Sequence, residues 1–288
     1  MKKISIFLLT ACMIFACVGC KEKPADQKTG SESVESAKTG GKLESIQSSG
    51  QLVVYTNANF PPFEFTAGNE IKGVDAEIGK AIAEELGVTA TFKDAAFEGL
   101  CASLSTGKGD IVISGMTITE KRKEEVDFSN PYIKSVQYLI LPKNSAIGTF
   151  EDLAGKKVGV ALGYTGEFCL DDEMNGIEED DGTKIPGILE GKGTTKKTYK
   201  NAMDAALDML AGKADAIIMD QFVAQKIVAN DEKLKAIPLV YANGDDVSEE
   251  YGVAIAKGNE NLVEKINQVI DRLTAENKVK DWVISFSE

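Results

Sequence analysis

Gly109-Asp110-Ile111-Val112-Ile113-Ser114-Gly115-Met116-Thr117-Ile118-Thr119-Glu120-Lys121-Arg122-Lys123-Glu124-Glu125-Val126-Asp127-Phe128-Ser129-Asn130-Pro131-Tyr132 is the stretch from which the fold can be read. Ile111, Val112 and Ile113 run apolar without alternation, the pattern of a short strand covered on both faces. Ser114 and Gly115 end it with small residues that let other groups approach the backbone closely. Thr119 has the chemistry of a helix N-cap, and Glu120 suits the first turn that follows. Arg122 falls one turn into that helix, beside the strand end. The strand end, Gly115, the Thr117 hydroxyl and the Arg122 guanidinium are therefore expected to converge. A guanidinium grips a carboxylate through two parallel hydrogen bonds, so the spot suits a carboxylate ligand. A lone Arg at a helix start is more often a solvated surface group. The flanking runs Ser114–Thr117 and Phe128–Tyr132 tip the reading toward a site.

Outward from this stretch the chain alternates strands and helices. Leu52–Tyr55 reads as a strand, followed by a loop, Thr56–Asn59. Phe60-Pro61-Pro62-Phe63-Glu64-Phe65 cannot be helix or central strand because of its prolines. Phe63 and Phe65 are expected in the core, and Phe60, nearest the strand end, at a pocket. Val74, Ile78, Ile82 and Leu86 recur at helical spacing and end at Gly87. Val88–Phe92 is the next strand, and Phe97–Thr106 a helix. Such β-α-β-α-β order predicts an open parallel sheet with helices on both faces.

The second half repeats the logic. Val158–Ala161 reads as a strand, and Leu162–Glu167 as a small-residue loop opening a helix whose N–H groups suit an anion. Asp171–Thr198 reads as an exposed acidic excursion. Asn201–Leu210 is a helix with Ala205, Ala206 and Leu210 inward. Gly212-Lys213-Ala214-Asp215-Ala216-Ile217-Ile218 mirrors Gly107-Lys108-Gly109-Asp110-Ile111-Val112-Ile113 and delivers Asp220 at its end. Asp220 is either a cap for the helix that follows or a carboxylate facing Arg122 across a cleft. An acidic and a basic group facing one cleft would recognise a zwitterion. Ile133–Leu141 and Tyr251–Ala256 read as strands crossing between two halves. Asn259–Leu273 is an amphipathic helix, and Trp282 lies in a short last helix as packing.

The pattern Gly-Asp-x-x-x-Ser-Gly-Met-Thr-x-Thr-x-x-Arg at 109–122, followed by Val-Asp-Phe-Ser-Asn-Pro-Tyr at 126–132, resembles the signature of extracellular solute-binding proteins for amino acids. These are the receptors of ABC importers for polar amino acids. The resemblance runs from about Gly50 to the C-terminus. It implies an α/β, two-lobed periplasmic-binding-protein-like fold, each lobe an open sheet flanked by helices, joined by two crossing strands. Lobe 1 would comprise 48–132 and 252–288, lobe 2 residues 137–246, and the hinge 133–136 with 247–251. It implies that Arg122 holds an α-carboxylate with help from Thr117 and Thr165. Asp220 would hold the α-ammonium with backbone help near Gly115, whose neighbours Ser114 and Met116 are counted with the ligand-binding set. Phe60 and Phe97 would sandwich the ligand side chain, and Asn57 would read its far end. The position of Asn57 is acidic in many receptors for cationic amino acids. Asn57 is neutral, so the expected ligand is a polar, uncharged amino acid such as glutamine or cystine. Ala161 adds no charge, and Tyr164 stands where the family often has Thr.

Composition bounds the alternatives. The chain has 288 residues, 43% of them apolar, and a formal net charge of −13, which becomes −15 without Lys2 and Lys3. That balance argues against nucleic acid and against an anionic membrane bound through a basic face. There is no His, no cofactor motif and no metal-ligand spacing, so neither cofactor nor metal is expected. Met1–Cys20 reads as a signal peptide with a basic start and an apolar run. Gly19-Cys20 resembles a lipobox, which makes Cys20 the lipidation site; Cys17 is a second candidate. Residues 21–47 read as a tether poor in apolar side chains. Cys101 and Cys169 are expected as unlinked thiols. The partners expected are a free amino acid, an ABC permease, and the outer face of the cell membrane through the lipid anchor, with the chain acting as a monomer. Two other readings stand beside this one: the ligand domain of a sensor, and a cyclohexadienyl-dehydratase-like enzyme on the same fold. The absence of His and of a clear acid–base pair weighs against the enzyme.

Overall fold

The computed structural model describes residues 41–179 and 181–288. The signal peptide, Cys20 and the tether up to residue 40 lie outside these residues. The tether expected to reach residue 47 gives way to helix α1 (Lys42–Ser49). Its Ile46 is fully buried, which is why this segment folds with the body rather than trailing from it.

Strand β1 (Gln51–Thr56) is followed by β2 (Asn59–Phe60), β3 (Glu64–Ala67) and β4 (Glu70–Lys72), which form a small antiparallel sheet around the two prolines. Helix α2 (Val74–Glu85), β5 (Thr89–Asp94), α3 (Leu100–Ser105), β6 (Ile111–Val112), α4 (Glu120–Glu125) and β7 (Val126–Phe128) complete the first run. A single 3₁₀ turn, Phe97–Gly99, precedes α3. Strand β8 (Ile133–Pro142) then crosses to a second run. That run holds β9 (Lys157–Ala161), α5 (Thr165–Asn175), β10 (Ile177–Glu178), β11 (Lys184–Ile185), β12 (Thr195–Tyr199), α6 (Ala202–Leu210), β13 (Ala216–Asp220), α7 (Gln221–Ala229) and β14 (Leu234–Pro238). The chain returns through β15 (Ser248–Tyr251) and β16 (Ala254–Ala256), and ends in α8 (Glu260–Ala275) and α9 (Lys278–Ser287).

The two main sheets have the same plan. In the first the order is β5-β1-β6-β16-β7, and in the second β12-β9-β13-β8-β14. In each, three parallel strands stand in the order second, first, third. An antiparallel strand from the crossing segments pairs with the third strand, and a last strand pairs antiparallel to that. The likeness between residues 107–113 and 212–218 is thus one joint of a repeated lobe. The crossing strands β8 and β15 pair antiparallel, Ser248 beside Val136 and Tyr251 beside Ile133.

Apolar patterning accounts for the layers. Helix α2 buries Val74, Ile78 and Ile82, each contributing roughly 1.5–3 kcal/mol by leaving water. Helix α8 buries Leu262, Ile266, Val269, Ile270 and Leu273 along one face. In α6 the inward residues are Ala205, Ala206 and Met209, while Leu210, expected inward, is exposed. The buried stripe runs through Ala202, Ala205, Ala206 and Met209, and at helical spacing Leu210 falls at its edge, turned toward solvent. The excursion at 171–198 is mostly exposed, as expected, but it carries regular structure. It starts inside α5, folds into the β10–β11 hairpin, and ends in β12, an edge strand of the second sheet. The polar run Thr195-Lys196-Lys197-Thr198 hid that strand, because an edge strand needs little apolar surface.

Candidate ligand cleft

Four chain segments meet between the two sheets, each from the carboxyl end of a strand. Ser114–Thr117 follow β6, Gly163–Thr165 follow β9, Asp220 ends β13, and Asn57 follows β1. Thr119 caps α4 as expected, its hydroxyl accepting from the Arg122 N–H at 3.2 Å. That cap aims Arg122 back toward the strand end, where it is 9% exposed. One terminal nitrogen donates to the Thr117 carbonyl at 2.7 Å and the other to the Gly163 carbonyl at 3.0 Å, bridging the two lobes. The guanidinium also lies over the Phe97 ring, 5.3 Å from its centre. Burial lowers the guanidinium pKa, with Asp220 and Glu249 among the charges opposing that shift. An Arg so placed stays charged.

Further contacts join the lobes. The Thr117 and Thr165 hydroxyls are 2.7 Å apart. The Tyr164 hydroxyl donates to Asn57 Oδ1 at 3.1 Å, and Asn57 Nδ2 donates to the Ala95 carbonyl at 2.7 Å. Tyr164 packs on Phe97 and Phe60, with ring centres 4.5 and 5.6 Å away. The far end of the cleft is thus an aromatic box closed by two neutral polar groups. Gly115, with φ +50°, makes the box possible: a Cβ there would sit 2.5 Å from the Phe60 ring.

The loop at 162–166 is held by Glu167, whose carboxylate accepts from the Gly163 N–H at 2.7 Å and from Lys196 and Thr198. Burial works against its ionisation, but these donors win and keep its pKa below the ordinary value.

Arg122, Thr117, Thr165, Asn57, Phe60 and Phe97 are therefore brought together. Asp220 is 4% exposed and does not cap α7 with its side chain. Its carboxylate is instead bound by the Gln137 amide. Ser114 and Met116 are not cleft-lining side chains. The Ser114 hydroxyl donates to Glu64 at 2.7 Å and accepts from the Asn57 N–H at 3.0 Å, one layer beneath the cleft. The Met116 side chain packs in the core with Leu100 and Leu104, its sulfur 3.8 Å from that of Cys101. The alternation of side chains along an extended segment points Met116 away from its neighbours Gly115 and Thr117. The Gly115 N–H donates to Asp75 Oδ2 at 2.6 Å, and the Tyr132 hydroxyl to the same oxygen at 3.2 Å.

Sequence reasoning missed Glu249, Gln137, Glu64 and Asp75, all buried. Glu249 and Gln137 both sit on the crossing strands, Glu249 within the expected hinge 247–251 and Gln137 at the first residue of the expected second lobe. Polar residues in otherwise extended runs were the available signal. Glu64 and Asp75 lie under the cleft because Gly73, at φ +123°, lets the start of α2 press against the Pro62 and Phe63 carbonyls. Cys101 and Cys169 are both free.

Two α/β lobes of one plan, joined by paired crossing strands and closing on a buried Arg, define a two-lobed binding protein. The sequence matches the model of the bacterial extracellular solute-binding proteins, family 3, over residues 52–284, and the chain belongs to that family. It is 33% identical to the L-cystine-binding protein TcyJ of Escherichia coli over 83% of each chain. It is 30% identical to the arginine-binding extracellular protein ArtP of Bacillus subtilis, over 95% of this chain and 93% of that one. Its structure resembles that of an ancestral arginine-binding protein bound to glutamine, at 35% identity and a TM-score of 0.69, over 82% of this chain and 97% of the other. The family is one of extracellular solute-binding proteins, and the relatives named here are binding proteins. Among the described residues no helix is long and apolar enough to cross a membrane.

Proposed function

We propose that the chain binds a polar, uncharged L-amino acid between its lobes and delivers it to an ABC permease, tethered to the outer face of the membrane through a lipid on Cys20. The observation that carries the reading is the meeting of Arg122, Thr117 and Thr165 at one end of the cleft with Asp220 nearby. A cation with hydroxyl donors suits an α-carboxylate, and a buried carboxylate suits an α-ammonium. Arg122 reaches Gly163 and Thr117 reaches Thr165 from one lobe to the other, so opening the lobes would break both contacts. A ligand carboxylate that replaces or joins these contacts favours closure, because only contacts specific to the closed state shift that balance.

The neutral far end supports an uncharged side chain. Asn57 and Tyr164 offer an amide and a phenol there, between the rings of Phe60 and Phe97. Glutamine and cystine fit that chemistry. Relatives are named for cystine and for arginine, and one related structure holds glutamine, so the fold accommodates all three. Thermal unfolding of ligand-stripped protein against each standard amino acid and cystine tests the reading. A ligand at a hundred times its Kd adds roughly 2.7 kcal/mol. A shift for glutamine or cystine and none for arginine is the expected result. Arginine alone would overturn the uncharged assignment, and no shift at all would overturn the zwitterion site. For the anchor, Cys20→Ser should move the chain from the membrane fraction to the medium or periplasmic extract. For delivery, the loaded protein should stimulate ATP hydrolysis by its permease in vesicles.

A further inference from the structure

Glu249 projects from β15 into the same cluster as Asp220 and is 5% exposed. The donors around these two carboxylates are few. Gln137 Nε2 donates to both, reaching Glu249 Oε1 at 3.0 Å. The Thr117 hydroxyl donates to Glu249 Oε2 at 2.8 Å, and the Tyr251 hydroxyl lies 3.4 Å from Oε1. Because the single Thr117 proton points to Glu249, the Thr165 hydroxyl must donate to Thr117. Arg122 gives its terminal nitrogens to two carbonyls instead. Gln137 Oε1, fully buried, has no hydrogen-bond partner among the described residues. The cluster is thus short of hydrogen-bond donors and of positive charge, and rich in acceptors.

The ionisable groups that face it are Arg122 on α4, Tyr251 on β15, Tyr164 and Cys169 at and within α5, and Glu64 on β3. Only Arg122 is cationic. Two buried carboxylates with so little compensation cannot both stay ionised cheaply. Burial and the neighbouring Glu249 push the Asp220 carboxyl well above the ordinary range, against the Gln137 hydrogen bond and the Arg122 charge.

We propose that Asp220 and Glu249 act as one carboxyl–carboxylate pair, which holds a proton while the cleft is empty and exchanges it for the α-ammonium of the ligand. The inference rests on the amino-acid reading of this cleft and adds Glu249 to the ammonium site. The exchange balances: the O–H bond of the carboxylic acid breaks, the proton passes to solvent, and the ammonium keeps its own three N–H bonds and donates them to the acceptors left free. The α-ammonium stays charged throughout the acid-to-neutral range, so it contributes no proton of its own.

Isothermal titration of the purified full chain, stripped of ligand, tests this with L-glutamine, L-cystine and L-arginine as probes. The slope of observed enthalpy against buffer ionisation enthalpy, from phosphate and Tris at pH 7, counts the protons. Close to one proton should be released per ligand, and affinity should tighten about tenfold per pH unit while the pair is protonated. Glu249→Gln removes the like charge beside Asp220 and leaves its burial, so release should fall well below that of the native chain and the pH dependence should flatten. Binding by the unaltered chain with no proton release overturns the proposal, and that measurement needs no variant to fold. Unchanged release in Glu249→Gln also overturns it. Failure of all three probes to bind would instead overturn the amino-acid reading itself.

Discussion

Replacing Arg122 separates its charge from its shape. The guanidinium is 9% exposed, donates to two carbonyls on opposite lobes, and lies over Phe97. Arg122→Ala removes the one cation that faces the cleft cluster among the described residues and leaves a ligand carboxylate buried without a partner. Losing one side of a buried charge pair costs about 3–5 kcal/mol, which converts to a loss of affinity of roughly 100- to 4,000-fold. Arg122→Lys keeps the charge and loses the fork. One charge-assisted hydrogen bond is worth about 1.5–3 kcal/mol, so the Lys variant should fall between the native chain and Ala. Arg122→Ala unpairs both the Thr117 and Gly163 carbonyls and Arg122→Lys at least one of them, which lowers the stability of the empty protein. Affinity should therefore be read directly by titration calorimetry and not from thermal shifts. If Arg122→Ala binds within threefold of the native chain, the carboxylate assignment is wrong. If Lys and Ala lose equally, the two-pronged grip is wrong although the charge assignment can stand.

Gly115→Ala puts a Cβ 2.5 Å from the Phe60 ring on a residue at φ +50°. Backbone strain of about 1–2 kcal/mol adds to repacking of about 1–3 kcal/mol, so chemical denaturation should show a loss of roughly 2–5 kcal/mol; no loss would mean the ring is free to move. Asp75 is pushed up to about 6, chiefly by burial, with the Gly115 N–H opposing. Its folded pKa thus exceeds its unfolded value of about 3.9, so its contribution is whole below that value and is lost as pH rises through about 6. The Tm of the empty protein should fall across that window, and Asp75→Asn should flatten the slope, though Glu64 and Asp220 are shifted the same way and leave part of it. Cys169 is pushed up to about 12 by burial and by Glu249 and Asp172. Its native-state alkylation near pH 8 should be roughly a thousandfold slower than in denaturant. Mass spectrometry without reductant should find Cys101 and Cys169 both alkylated after denaturation; a linked peptide pair would refute the free thiols.

Much of the architecture follows from local pattern. The apolar run Ile111–Ile113, the four-residue spacing of Val74, Ile78 and Ile82, and the repeated helix–turn–strand joint at 107–113 and 212–218 carry the period of their elements in the residues themselves. Arg122 and its Thr119 cap were legible for the same reason, because a cap and the residue one turn later are set by helix geometry alone. Leu210, the segment at 42–49 and strand β12 were misread where local pattern was weak. The edge of a buried helix stripe, a single buried Ile46 and an edge strand of Lys and Thr are settled by what packs against them.

The cleft divides along the same line. Its first-found members, Thr117, Arg122, Thr165 and Asp220, each close a strand or open a helix, and their chemistry was visible in sequence. Glu249, Gln137, Asp75 and Glu64 were not. Glu249 lies 132 residues from the Thr117 it binds, and Asp75 lies 40 residues from Gly115. No periodicity spans such distances. A polar residue in an extended run looks the same whether it faces water or a buried partner, and only closure of the two lobes over it takes the water away.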